Sequence, residues 1–177
     1  MRYSERDEAQ RKLFLESLAS LGAENVYYLD ESGIDHRLFR TRARAPRGEA
    51  VRIDVPGSKR GRTSIISASL GGRLVEPMVF EGHCNREVVE FYFKEFLLPC
   101  LPRGAVIVLD NASFHRSPST LAVVESAGCC LMFLPAYSPD LNPIEHIWAA
   151  LKATVRKGLQ EKDDKTEHIF NVCQFYL

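Results

Sequence analysis

Two apolar runs that each end in aspartate constrain this chain more than any other feature. Ala105-Val106-Ile107-Val108-Leu109 leads into Asp110-Asn111, and Val26-Tyr27-Tyr28-Leu29 leads into Asp30-Glu31. A near-continuous apolar run of strand length reads as a strand covered on both faces, which is the habit of parallel sheets in α/β proteins. In such sheets, binding and catalytic sites form beyond the carboxyl ends of the strands. If the two strands are neighbours, their terminal aspartates emerge at one edge.

The remaining pattern agrees with layered α/β architecture. Residues 5–21 place Leu13, Phe14, Leu18 and Leu21 at helical spacing, with Gly22 as a stop. Residues 25–30 form a short strand ending at Asp30. Thr63–Leu70 and Leu74–Phe80 read as a hairpin around Gly71-Gly72. Asn85 caps a largely buried helix over 86–98, which Pro99 and Pro102 end. A strand over 105–110, a helix over 118–127 and a strand over Cys129–Leu134 follow. The loop Pro135–Leu141 leads to a helix over 143–157, whose Ile144, Ile147, Trp148, Leu151 and Val155 form one apolar stripe. No element is assigned after Gly158. The expectation is a mixed β-sheet flanked by α-helices.

The chain has 177 residues, enough for one domain with its own core. No uncharged apolar stretch is long enough to span a membrane, and the charged start lacks a signal-peptide core. A cytoplasmic protein is therefore expected. The cysteines Cys84, Cys100, Cys129, Cys130 and Cys173 form no C-x-x-C pair and read as buried reduced thiols. Their spacing with histidine does not suit zinc.

Charge is balanced overall, 23 basic against 23 acidic residues, but not locally. Residues 37–62 hold Arg37, Arg40, Arg42, Arg44, Arg47, Arg52, Lys59, Arg60 and Arg62 against only Glu49 and Asp54. Such a stripe can neutralise phosphates and release counterions. A solvated hairpin face accounts for it equally well.

A third acid, Glu145, follows Asp110 after 34 intervening residues, in Ser138-Pro139-Asp140-Leu141-Asn142-Pro143-Ile144-Glu145-His146-Ile147-Trp148. With Asn142 as N-cap and Pro143 at the first helical position, Glu145 sits where a capping glutamate would. The alternative is a carboxylate at a helix entrance facing Asp30 and Asp110. Oxygen donors so grouped suit Mg²⁺. Two such ions roughly 4 Å apart can run an in-line displacement at phosphorus. Of the neighbouring polar residues, Glu31 points away from Asp30 and reads as a supporting or solvated group. Asn111 and Asn142 flank the acids, and His115 either orients a ligand, contacts DNA or makes a structural hydrogen bond. Asp140 reads as a turn residue.

Three motifs carry a family resemblance: Leu29-Asp30-Glu31-Ser32-Gly33, Leu109-Asp110-Asn111-Ala112-Ser113-Phe114-His115, and Pro135-Ala136-Tyr137-Ser138-Pro139-Asp140-Leu141-Asn142-Pro143-Ile144-Glu145-His146-Ile147-Trp148. Together they resemble the catalytic domain of DDE transposases from bacterial insertion sequences in the mariner-like superfamily. The resemblance covers roughly residues 22–157, and the 34-residue gap is the family's usual spacing. It implies a ribonuclease-H-like fold, with Asp30, Asp110 and Glu145 as the three catalytic, metal-holding acids and two Mg²⁺ ions that Mn²⁺ replaces. It also implies cleavage of DNA at element ends, then joining of the 3′-hydroxyl to target DNA.

The corresponding division is an N-terminal helix or linker over 1–21, the catalytic domain over 22–160 and a tail over 161–177. Implied partners are double-stranded DNA and a second copy in a synaptic dimer, in a bacterial, nucleoid-associated setting. Family members recognise their ends with helix-turn-helix domains, expected here from an upstream reading frame or missing. The competing readings are a ribonuclease-H-like nuclease that only hydrolyses, and a non-catalytic DNA-binding remnant of a decayed element.

Overall fold

The computed structural model describes residues 6–35, 61–158 and 164–177. Within them run β1 (Val26–Asp35), β2 (Arg62–Leu70), β3 (Arg73–Glu81), β4 (Val106–Leu109) and β5 (Cys130–Phe133). They form one sheet in the order β3-β2-β1-β4-β5. β1 pairs antiparallel with β2 and β2 antiparallel with β3, whereas β1 with β4 and β4 with β5 are parallel. The expected mixed sheet is present.

β1 is longer than the apolar run foretold. It passes through Asp30 and continues to Asp35, because β2 pairs with it from Tyr28↔Ser69 to Asp35↔Arg62. Asp-Glu-Ser-Gly is poor strand sequence, and the neighbouring strand overrides that preference. On the β4 side, pairing covers only Val26↔Val106, Tyr27↔Ile107 and Tyr28↔Val108. Asp30 thus lies where the sheet loses one neighbour, not where its own strand ends.

The hairpin turns at Gly71 and Gly72, both at positive φ (59° and 83°), as the tight turn between twisted strands requires. On the edge strand β3, an irregularity opposite Ser67 accommodates Pro77 and places Glu76 at φ 48°. The buried Tyr92 hydroxyl satisfies the exposed ladder groups there. It accepts from the Ala68 amide (3.0 Å) and donates to the Val75 carbonyl (3.1 Å).

Helices cover both faces. On one, α2 (Arg86–Tyr92) and α3 (Pro118–Ser126) bury Val89, Tyr92, Phe93, Leu97 and Val124 against Tyr27, Leu29, Ile66, Ile107 and Leu109. The expected single helix over 86–98 changes pitch, continuing as a π-turn over Phe93–Leu97 and a 3₁₀ turn over Leu98–Cys100. On the other face, α4 (Ile144–Gly158) packs its predicted stripe against Ile34, Ile65 and Leu74. The segment after Gly158, to which no element was assigned, contains α5 (Lys165–Cys173), whose Ile169, Val172 and Cys173 join that same core.

α1 (Glu8–Ala19) starts at Asp7, whose carboxylate caps the amides of Ala9 and Gln10. It packs through Phe14 and Leu18 on Val26, Val108 and Leu134. Leu13, expected on that face, is exposed, and the buried polar position is Arg11. Arg11 reaches Asp140 with both guanidinium nitrogens (3.2 and 2.8 Å), and Arg6 adds a third bond (3.0 Å). Asp140 is therefore a latch between α1 and the loop that enters α4, not a mere turn residue. The cysteine expectation also needs amending: all five are free, but Cys100 and Cys130 are exposed.

The Arg11 hydrogen bonds, then the charges of Arg11 and Arg6, hold the Asp140 carboxyl below its ordinary range. Because Asp140 is half exposed, Arg11→Ala is expected to cost only about 1 kcal/mol in urea denaturation. With the folded value depressed, that contribution is present above the unfolded value of about 3.9 and fades as pH falls through the lower folded one. Denaturation curves of the wild type and Arg11→Ala should thus draw together as the pH falls below the unfolded carboxyl value.

Candidate active site

The β1–β4 register, carried two steps past Tyr28↔Val108, brings Asp30 level with Asp110. Alternation along the strands then sets their direction. Leu29 and Leu109 enter the core under α2 and α3, so Asp30 and Asp110 turn to the face that carries α4. Glu145 lies in the first turn of α4. All three acids line one cleft of about 420 Å³, walled by Asn111, Ala112, Asn142 and the loop from Leu134 to Pro139.

Trp148 sets the phase of α4. Its indole Nε1 donates to Asp30 Oδ2 at 3.0 Å. Positions three apart share one side of a helix, so this bond turns Glu145 toward Asp30 one turn earlier. The sequence placed Trp148 only in the apolar stripe. The available signal was that a buried indole N–H requires an acceptor, and Asp30 is it.

Asp110 is held from beneath. Its Oδ1 accepts from the Ala112 amide (2.9 Å) and from His115 Nδ1 (2.8 Å). Among the described residues, its Oδ2 receives no hydrogen bond. The fully buried His115 turns its other nitrogen, Nε2, to Glu31 Oε1 at 2.9 Å. Buried there, His115 joins Asp110 to Glu31 through its two ring nitrogens. Cys84 Sγ also donates to Glu31 Oε1, at 3.5 Å. Asn111 spans two strand ends, donating to the Leu134 carbonyl and accepting from Arg116. Asn142 does not cap α4 with its side chain: its buried Oδ1 has no partner among the described residues. Glu145 likewise makes no capping hydrogen bond there.

Of the arginine-rich stretch, Arg37, Arg40, Arg42, Arg44, Arg47, Lys59 and Arg60 lie outside the described residues. Arg62 lies within them, its guanidinium over Gly33 of β1, where any side chain would collide with it.

A family model described as DDE superfamily endonuclease matches residues 25–167. The chain belongs to the DDE superfamily endonucleases. Among solved structures, it resembles the catalytic domain of Mos1 mariner transposase (TM-score 0.56, 16% identity, covering 99% of this chain and 93% of that one). It also resembles the Mos1 strand transfer complex (TM-score 0.61, 16% identity, 97% of this chain and 58% of that one). A third is the Mos1 mariner paired end complex with Mn (TM-score 0.61, 18% identity, 99% and 63%). The fold is thus ribonuclease-H-like. This chain spans about three fifths of the transposase chains in those complexes. An uncharacterized protein, y4pE/y4sA of Sinorhizobium fredii (strain NBRC 101917 / NGR234), is 44% identical over 48 residues, 27% of this chain and 33% of its own length.

The electrostatics of this DDE endonuclease differ from acid to acid. Burial, then the charges of Glu31 and Glu145, push the Asp30 carboxyl up to about 7, against the lowering bonds from the Glu31 backbone and Trp148. Asp110 is held below its ordinary value, chiefly by the His115 hydrogen bond, although burial opposes it. For His115, burial acts downward, but its bonds to Asp110 and Glu31 outweigh this and raise it to about 9. At neutral pH the ring is an imidazolium donating from both nitrogens.

The donors suit a hard divalent cation: carboxylate oxygens and, among the described residues, a buried amide oxygen at Asn142 without a partner and an Asp30 carboxyl without a compensating positive charge. The acids share a cleft rather than a closed coordination shell. Among the described residues no three Asp, Glu, His or Cys side chains already form a compact metal-ligand group.

Replacing Trp148 with Phe removes a bond that lowers the Asp30 carboxyl. The carboxyl ¹³C titration of Asp30 should therefore move to a higher midpoint than in the wild type. An unchanged midpoint would mean that the indole bond does not form in solution.

Proposed function

We propose that this chain is the catalytic domain of a DNA transposase, cutting DNA at insertion-sequence ends and joining the freed 3′-hydroxyl to target DNA. The reading rests above all on Asp30, Asp110 and Glu145 reaching one cleft from three separate elements. Family membership supplies the chemical class, an endonuclease. The similar Mos1 structures are named as paired-end and strand-transfer complexes, two of them with Mn or Mg. They favour transposition over hydrolysis alone.

In this proposal Asp30, Asp110 and Glu145 would hold two Mg²⁺ ions, with Mn²⁺ as a substitute. Bound there, the ions supply an acidified nucleophile and charge stabilisation at the leaving oxygen. The protein's part is placement. Trp148 fixes one oxygen of Asp30, Ala112 and His115 fix one oxygen of Asp110, and α4 presents Glu145. The strip Arg37, Arg40, Arg42, Arg44, Arg47, Lys59, Arg60 and Arg62 would neutralise backbone phosphates of double-stranded DNA. Synapsis of two ends assigns the working form to a homodimer, acting at the bacterial nucleoid in the cytoplasm. Recognition of the end sequence is assigned to a separate helix-turn-helix unit. The 1–21, 22–160 and 161–177 division stands as part of this proposal, although α1 and α5 both pack on the sheet.

Purified protein should nick or strand-transfer DNA carrying the element ends in Mg²⁺ or Mn²⁺, and Asp110→Ala should reduce this to background. Cutting in excess chelator, or full activity of Asp110→Ala, would refute the metal-dependent site. Hydrolysis without joining would select the simple nuclease, and binding without cutting the non-catalytic remnant.

Paired substitution Arg42→Ala and Arg44→Ala should weaken binding. If each contacts one phosphate, the slope of log K against log salt should flatten by about 1.8. An unchanged slope removes the segment from the interface.

A further inference from the structure

The two adjacent acids Asp30 and Glu31 point to opposite faces of β1, and this gives Glu31 a task of its own. Asp30 faces the cleft, whereas Glu31 faces the side occupied by α2 and α3. That side is otherwise apolar around it: Leu29 and Leu109 are fully buried nearby, and Phe114 packs edge-on against His115 at 4.5 Å between ring centroids. A carboxylate in such surroundings is costly unless its oxygens are bonded. Glu31 Oε1 receives two bonds, from His115 Nε2 (2.9 Å) and from Cys84 Sγ (3.5 Å).

The chain of contacts continues in one direction. His115 hands its other nitrogen to Asp110 Oδ1 at 2.8 Å. Asp110 itself sits just past the last residue of β4, beyond the ladder that orders that strand, and half of its side chain is exposed. Left alone, such a side chain samples several rotamers. With Oδ1 fastened by His115 and the Ala112 amide, rotation is stopped and Oδ2 is left for the cleft. The ring in turn holds its angle because Glu31 fixes the far nitrogen. Glu31 belongs to β1, paired on this stretch with β2 at Ile66, so the chain of bonds is anchored in the sheet rather than in a loop.

We propose that Glu31 is a positioning residue for metal binding, acting through His115 to fix the oxygen that Asp110 presents. The inference rests on the metal site proposed above and deepens it. Supporting carboxylates behind metal ligands typically govern about 10- to 100-fold in affinity or activity.

The experiment is calorimetric titration of the DNA-free full chain with MnCl₂, alongside thermal melting without metal and steady-state nicking of DNA. Glu31→Ala should bind Mn²⁺ about tenfold or more weakly and lose kcat while KM for DNA stays put. Glu31→Gln keeps an acceptor oxygen at the same reach and should recover most of the affinity. His115→Asn should match Glu31→Ala, and covers the case in which Glu31→Ala does not fold. Wild-type Mn²⁺ affinity in Glu31→Ala or His115→Asn overturns the proposal. So does a Glu31→Gln protein as impaired as Glu31→Ala, or an affinity loss that only follows a loss of melting temperature. Asp110→Ala in the same titration separates the two levels. If it loses Mn²⁺ while Glu31→Ala does not, only the positioning role fails. If it binds Mn²⁺ as well as the wild type, the metal site itself fails, and the positioning role with it.

Discussion

Everything at the candidate site depends on β1 outlasting β4. The parallel pairing stops near Tyr28↔Val108, and β4 ends at Leu109, while β1 runs on to Asp35 with β2 as its remaining partner. A notch opens in the sheet at that point. Asp110 leaves its strand beside an Asp30 still held in one. β5 ends nearby at Phe133, and the Leu134 amide bonds back to the Leu109 carbonyl at 2.9 Å. The chain then crosses the notch as the loop to α4, with Asn111 donating to the Leu134 carbonyl. A β4 longer by two residues would fill the notch with ladder hydrogen bonds and draw Asp110 into the sheet.

Gathering acids in the notch has an electrostatic cost, and it is unevenly distributed. Asp110 has a cation at its back, the His115 imidazolium, and stays ionised. Asp30 is more deeply buried and has only neutral donors, the Glu31 backbone and the Trp148 indole, against two neighbouring carboxylates, and its carboxyl rises to about 7. Among the described residues, positive charge at the notch is thus supplied to Asp110 by His115, whereas no cation acts on Asp30. A divalent ion in the cleft would make up that deficit, since an opposite charge within a few ångströms favours the ionised carboxylate.

Much of this was legible in the sequence, and the losses have physical causes. The apolar runs located β1, β4 and β5, and Gly71-Gly72 located the hairpin turn, because burial and positive φ leave strong local marks. The second half of β1 was missed because Asp-Glu-Ser-Gly has the composition of a loop, and only pairing with β2 makes it a strand. Asp30, Asp110 and Glu145 were readable as a set from their motifs. Their geometry was not, since it depends on strand register and on one long-range bond from Trp148. Arg11 and Asp140 lie 129 positions apart, and no local pattern announces such a pair. α5 escaped because a short amphipathic segment in charged surroundings becomes a helix only when Ile169, Val172 and Cys173 find the core.

The three acids end up held to different degrees. Asp30 is tied by Trp148, and Asp110 by Ala112 and His115, whereas Glu145 has no side-chain hydrogen bond among the described residues. Its position comes from α4 alone, and α4 is braced at both ends. Arg11 fastens the Asp140 turn before it, and α5 meets its last turns, where His168 Nε2 lies 3.4 Å from the Val155 carbonyl. Two fixed carboxylates and one free to rotate on a braced helix account for a cleft lined by all three that is nonetheless not a closed ligand shell. Under the proposed function, such a cleft would take a metal ion and a phosphate together, with Glu145 settling only once both are in place.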